Sequence, residues 1–303
     1  MHLTTMLKIF MIGVLKLVAA FPLPAARGIG RFIGFVFGRV IRHHRDDAFL
    51  QLERSLPELS PSECKRIINS MYTLQGINTL EMIWYSMRGL KKLENTIELE
   101  GREHLEEALK RGKGALLLSA HFGNYELSAM AVSIHGYKLS PVVKTIRNKT
   151  VNEVIQQLRD HEGLTFLPSK NAYRDCLKVL RKNELVGMII DQNMTRDEGI
   201  FIDFFGKQAC SSPGLAFMAA QSKAPVVPIF IYRTPDGGFR QKLFPLIEPP
   251  ADRKPETIHA ATQAYNKLVE DVIRETPEEW IWMHRRWKTI PLEGDSLVVR
   301  AKD

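Results

Sequence analysis

Gly114-Ala-Leu-Leu-Leu-Ser-Ala120 runs straight into His121-Phe-Gly-Asn-Tyr-Glu126, and this stretch decides how the chain is read. The apolar run 115–120 has the length and bounds of a buried strand, while Gly123 and Asn124 suit a tight turn and a helix start. In open α/β sheets ligands gather at the carboxyl ends of strands, which is where His121 would stand. Glu126 then falls in the first helical turn, from which it is expected to reach back to His121. An imidazole oriented by a carboxylate can take a proton from a hydroxyl. The new helix N-terminus offers free N–H groups to a developing oxyanion. Other chemistries fit less well. One His and one carboxylate fall short of a metal-ligand set, and Ser119 lies in no Gly-x-Ser-x-Gly elbow. Taken alone, the His-x4-Glu spacing also suits an ordinary hydrogen-bonded histidine at a strand end.

Outward from this stretch, short apolar runs alternate with amphipathic helical segments from about residue 96, the pattern of an α/β body with a mainly parallel sheet flanked by helices. Strands are expected at 115–120, 138–144, 165–167, 185–190, 200–204, 226–232 and 241–247. Helices are expected at 103–111, 126–134, 151–161, 173–182, 213–222 and 257–276. Upstream, Ser60-Pro-Ser-Glu63 reads as a capping box opening a long helix through Met87. There is no repeat, low-complexity tract or long linker.

The first 45 residues differ in kind. Before Asp46 there are seven Lys or Arg (Lys8, Lys16, Arg27, Arg31, Arg39, Arg42 and Arg45) and no Asp or Glu. They are interleaved with Phe, Leu, Ile and Val, which suits an anionic bilayer surface rather than nucleic acid. The segment from Leu3 to Phe21 admits three readings: a helix lying in the interface, a short span with snorkelling lysines, or a signal peptide. Lys8 and Lys16 leave only 9–15 uninterrupted and share one helical face, which favours the first two. A second apolar stretch, Gly28 to Ile41, carries Gly28, Gly30, Gly34 and Gly38, as a membrane-seated helix with close-packing glycines would. The expected division is therefore a basic membrane anchor over 1–45 and a catalytic α/β domain over 46–303. Over all 303 residues the net charge is +8, with 45% apolar and 25% charged residues, a balance that excludes wholesale disorder. Cys64, Cys176 and Cys210 have no metal or disulfide spacing, which fits reduced core thiols in a cytosol-facing body.

Several segments taken together carry a family resemblance. Strand-His-Phe-Gly-Asn-Tyr-Glu resembles the His-x4-Asp/Glu motif of the glycerolipid-type acyltransferase superfamily. Ile190-Asp-Gln-Asn193, Phe204-Phe-Gly206 with Ala224-Pro-Val-Val-Pro228, and Pro277-Glu-Glu-Trp-Ile-Trp-Met-His-Arg-Arg-Trp287 resemble elements of one branch, the late (lauroyl/myristoyl) acyltransferases of lipid A biosynthesis. The likeness runs from the N-terminal anchor to about Lys288. The chain lacks the Gly-x-x-Phe-Ile-x-Arg and Glu-Gly-Thr blocks of the glycerol-phosphate branch, which counts against a lysophosphatidate acceptor.

The resemblance implies a glycerol-3-phosphate acyltransferase-like fold and an acyl donor carried as a thioester on acyl carrier protein. It implies a hydroxyl acceptor on a β-hydroxyacyl chain of an anionic glycolipid, the lipid A precursor, at the cytoplasmic side of a bacterial inner membrane. His121 and Glu126 are then the catalytic pair, and no cofactor is expected. Asn124, Lys144, Arg147, Asp191 and Gln192 are the substrate-binding candidates, the two cations serving a polyanionic acceptor. For Trp280, Trp282 and Trp287 the spacing favours core positions, with Arg285 and Arg286 paired internally or facing lipid. His161 and His284 are expected to be structural. Two competing readings stay open: an acyltransferase acting on another glycolipid or a lysophospholipid, and a non-catalytic peripheral membrane adaptor of the same fold.

Overall fold

A computed structural model of the chain describes residues 2–170, 172–292 and 295. It opens with α1 (His2–Ala20) and α2 (Leu23–Phe35), continued by a π-helical turn, Val36–Ile41, and then α3 (Arg45–Ser55) and the long α4 (Pro61–Arg88). A short α5 (Lys91–Glu94) leads to β1 (Ile97–Glu100), α6 (Arg102–Lys110), β2 (Ala115–Ser119), α7 (Tyr125–Ile134) and β3 (Leu139–Val143). There follow α8 (Lys149–Arg159), β4 (Leu167–Pro168), α9 (Ala172–Arg181) and β5 (Leu185–Ile189). The chain closes with β6 (Ile200–Phe204), β7 (Lys207–Ser211), α10 (Gly214–Ser222), β8 (Val226–Arg233), β9 (Phe239–Leu243) and α11 (Pro255–Glu275).

Seven strands form one sheet in the order β1-β9-β8-β2-β5-β3-β4. From β8 to β4 every neighbouring pair is parallel, and β9 pairs antiparallel with β8. Central β2 is buried along its apolar run because helices cover both faces, as parallel sheets require. After β2 the chain crosses to β3, whereas after β5 it passes over to β8, so the connections leave these two adjacent strands toward opposite flanks. In open α/β sheets a ligand crevice forms at such a point, outside the carboxyl ends of the strands.

The expected helices all form, and Ser60 with Glu63 closes the capping box of α4. Two strand expectations are corrected. The segment 200–204 does not join the main sheet but pairs with β7 as a separate antiparallel hairpin, turning at Phe205-Gly206. Both turn residues take positive φ, as a two-residue hairpin of matching twist demands. The last strand begins at Phe239 rather than Gln241, because the Asp236-Gly237-Gly238 turn forms a tight hairpin with β8.

The glycines of α2 find their partner within the chain. A Cβ on Gly30 would come within 2.6 Å of the Gly76 carbonyl oxygen, and one on Gly34 would collide with the backbone of Tyr72, so α2 lies against α4 at backbone distance. Gly28 has open space instead and is not part of this contact. Among the described residues no helix is long and apolar enough to cross a membrane. The outer faces of α1, α2 and the π turn nevertheless expose large apolar side chains, including Ile9, Phe10, Leu17, Phe32, Phe37 and Val40. Cys64, Cys176 and Cys210 are buried and unpaired.

Candidate active site

His121 and Asp191 meet because β2 and β5 are paired in register, Ser119 opposite Ile189, so residues two positions beyond each strand end become neighbours. Asp191 Oδ1 lies 2.9 Å from His121 Nδ1. Its Oδ2 accepts the His121 backbone N–H at 3.0 Å and the Trp280 indole N–H at 2.7 Å. Burial alone would push this carboxyl up; the His121 charge and these hydrogen bonds outweigh it and hold the group down at about 2. It is therefore ionised at neutral pH and accepts a hydrogen bond from the Nδ1–H of the neutral ring, in which Nε2 is the free base. Gln192 brings its amide nitrogen to 3.2 Å from that Nε2. Burial likewise opposes the imidazolium, but the charge and hydrogen bond of Asp191, with the charge of Glu126, raise the pKa of His121 above its ordinary value. The His121 side chain keeps 21% of its surface open, so a hydroxyl can reach it. Tyr125 packs edge-on against the ring, with centroids 4.9 Å apart.

The turn holding the histidine is fixed from several sides. Gly123 takes φ +58°, where a Cβ would collide with the Ile231 carbonyl oxygen. Its N–H donates to the Glu279 carbonyl, and its own carbonyl accepts from Asn78 Nδ2. The Ile281 N–H donates to the His121 carbonyl. The tryptophan-rich segment thus clamps both halves of the site: Trp280 and Trp282 are core residues as expected, and Trp280 is in addition a donor to Asp191. Arg286 is fully buried and donates to the Cys210 carbonyl, the Ser211 hydroxyl and Asn266, so its pairing is internal. Arg285 instead pairs with Asp47 at 2.8 Å. His284 accepts the Asn193 N–H through Nε2, a structural contact beside the site.

Two expectations change here. Glu126 does not hold the imidazole: its carboxylate is forked by Arg159, with Nε donating to Oε2 at 3.0 Å and Nη2 to Oε1. A side chain in the first turn of α7 points across to the end of α8, while Asp191 sits on the adjacent strand within hydrogen-bond reach. Glu126 acts on His121 through its charge. Asn124, expected to touch substrate, is buried and spent on structure. Its Oδ1 caps α7 at the Leu127 N–H, and its amide reaches the Asn78 carbonyl and Glu81. Beneath it lies a buried ionic cluster in which Glu81 accepts from both Arg27 of α2 and Arg233 of β8.

Lys144 and Arg147 follow β3, on the same sheet edge as His121 but with β5 intervening, which sets them roughly 10 Å to one side. Both are exposed and form no ion pair among the described residues. Gln192 reaches the ring; Asp191 is turned inward rather than toward a substrate. Among the described residues no group of three or more His, Cys, Asp or Glu could hold a metal ion. Arg159 escaped the sequence reading, since one arginine ending an amphipathic helix carries no pattern of its own.

A buried aspartate beside a partly open histidine, at a parallel-sheet switch point, is an arrangement that could activate a hydroxyl. The family model described as "Bacterial lipid A biosynthesis acyltransferase" matches residues 1–289, and the chain belongs to that family. It is 28% identical over 285 residues to the lipid A biosynthesis lauroyltransferase of Escherichia coli (strain K12), covering 92% of this chain and 90% of that one. It is 26% identical over 296 residues to the lipid A biosynthesis palmitoleoyltransferase of the same organism, covering 96% and 94%. Among solved structures, the 1-acyl-sn-glycerophosphate (LPA) acyltransferase PlsC from Thermotoga maritima aligns at 14% identity with a TM-score of 0.38, over 82% of this chain and 97% of that one. The protein is an acyltransferase of lipid A biosynthesis.

Proposed function

We propose that the protein moves a fatty acyl group from acyl carrier protein to a hydroxyl on a β-hydroxyacyl chain of a lipid A precursor, with His121 as general base. The observation that carries this reading is the His121–Asp191 pair, in which Nδ1 faces the carboxylate and the ring stays partly open to a hydroxyl. Nε2 takes the acceptor proton as the hydroxyl oxygen attacks the thioester carbonyl. The tetrahedral oxyanion sits near the start of α7, where first-turn N–H groups lack partners within the helix. It collapses to the ester, the C–S bond breaks, and the imidazolium returns its proton to the departing thiolate of the carrier. Asp191 stabilises the imidazolium throughout. Glu126, held by Arg159, adds negative charge behind the ring.

In this reading Lys144 and Arg147, exposed beyond β3, meet phosphate on the acceptor, and Gln192 swings from Nε2 onto the incoming hydroxyl. The exposed apolar and basic face of α1 and α2 supports attachment to the cytoplasmic leaflet of the inner membrane as an interfacial helical anchor, with the catalytic body on the cytoplasmic side. Purified protein incubated with labelled acyl-carrier donor and defined acceptors tests the substrate. Turnover of the lipid A precursor supports the reading, and turnover of lysophosphatidate alone overturns it. His121→Ala should lower the rate ~10²–10⁴-fold with the fold intact. An unchanged rate would overturn His121 as the base, whereas a biological effect that survives the loss of the rate would favour a membrane adaptor.

A further inference from the structure

The π-helical turn is unexplained by the catalytic site. π turns are rare, and where they occur they frequently mark function. This one follows α2 directly and borders a cavity of about 210 Å³ between α2 and α4. Arg31, Arg39, Gly34, Gly38, Asn69 and Thr73 line it. Eight α-helical steps would leave Arg31 and Arg39 about 80° apart. The wider i→i+5 turn advances each residue by less, which brings the second guanidinium back toward the first. Gly34 and Gly38 place no side chain in the space, and each lies too close to Tyr72 to accept one.

The charges around this cavity are not equivalent. Arg27 is paired with Glu81, Arg42 with Asp46, Lys8 with Glu153, and Arg45 spends its guanidinium on the Gly38 carbonyl and the Asn69 amide oxygen. Arg31 and Arg39 line the cavity and have no carboxylate partner among the described residues. Phe35 lines it as well, and Phe32, Phe37, Val40 and Ile41 of the same helical stretch are exposed. Arg39 lies over the Phe35 ring at 5.3 Å and Thr73 donates its hydroxyl to the Asn69 carbonyl, so the two guanidinium forks without a carboxylate partner and the Asn69 amide N–H₂, beside exposed apolar side chains, are what match a phosphodiester headgroup whose acyl chains lie beside it.

We propose that this cavity binds the headgroup phosphate of an anionic glycerophospholipid of the bilayer, fixing the rotation of the N-terminal helices on the membrane. On α4 the cavity is bounded by Asn69, Tyr72 and Thr73, which precede Asn78 and Glu81, the residues that support the catalytic turn. The inference rests on the membrane-surface reading above.

Flotation of the full-length protein with phosphatidylcholine vesicles, and with vesicles that also contain phosphatidylglycerol, tests it. Wild-type protein should prefer the anionic vesicles. Arg31→Gln with Arg39→Gln should cut that preference by about 30-fold, from two cations near anionic lipid, while binding to neutral vesicles persists. Two further variants separate a built site from smeared charge. Arg31→Lys with Arg39→Lys keeps the charge but loses the forks, and Thr73→Met fills the cavity with charge unchanged; both should lose much of the preference while melting normally. Wild-type behaviour of both overturns the headgroup site alone. A wild-type protein that ignores both kinds of vesicle overturns the membrane reading together with it.

Discussion

Replacing Asp191 by Asn keeps the size and the hydrogen-bonding reach of the side chain and removes its charge. The carboxyl is held at about 2 against an ordinary 3.8, because the His121 charge and the hydrogen bonds from His121 and Trp280 outweigh the burial that opposes ionisation. The imidazolium formed in the transition state loses the carboxylate charge that stabilises it. An asparagine amide can also turn its N–H₂ toward Nδ1 and trap the ring in the tautomer that protonates Nε2, which adds to the loss. The expected fall in kcat/KM is therefore between ~10² and ~10⁴. The pH profile supplies an independent sign. His121 titrates above its ordinary value in the native protein, and the rate needs it neutral, so the acid limb of kcat/KM lies above 6.5. Without Asp191 the burial of the ring prevails, and the limb moves to lower pH. The stability contributed by the depressed carboxyl is present above about pH 4 and is lost as pH falls toward 2, whereas that of the raised histidine is lost as pH rises through its folded pKa. Rates measured from pH 5 to 9 with a saturating acyl-carrier donor decide the matter. A rate within about threefold of wild type, with the acid limb unmoved, would refute Asp191 as the group that orients the base.

Gly123→Ala should abolish activity and cost about 1–3 kcal/mol of stability, read by denaturant midpoint, because φ is +58° and the Ile231 carbonyl occupies the space. Glu279 sits buried beside the catalytic turn, and burial pushes its carboxyl up to about 7 against the pull of Arg233. The folded state thus holds that proton more tightly than the unfolded chain, and stability falls by up to about 3 kcal/mol as pH rises from 4.5 through 7. Glu279→Gln should flatten that slope in urea titrations run at several pH values. Lys144→Ala with Arg147→Ala, both exposed and outside the core, should leave the melting temperature unchanged and raise KM for the phosphorylated acceptor more than they lower kcat, a split that steady-state kinetics with varied acceptor reads directly.

What could be read along the chain was what depends on near neighbours. The apolar run of β2, the turn chemistry of Gly123-Asn124, the capping box of α4 and the helical periodicities of α6 to α11 are local signals, and each element formed where its pattern lay. His121 was legible for the same reason, since a strand end before a glycine turn is a local fact. β1 and β7 were missed because Ile97–Glu100 and Lys207–Ser211 are too short and polar to stand out.

The partner of the base was decided only by the fold. Glu126, five residues from His121, was the natural candidate in one dimension, yet Arg159 claims it, and the carboxylate on Nδ1 comes from 70 residues away through strand pairing. Sequence alone established a strand-end histidine, a basic apolar N-terminus and an α/β body, because periodicity and turn chemistry act over a few residues. Tertiary structure chose which charges meet, because hydrogen bonds are settled at about 3 Å and only packing brings distant residues that close.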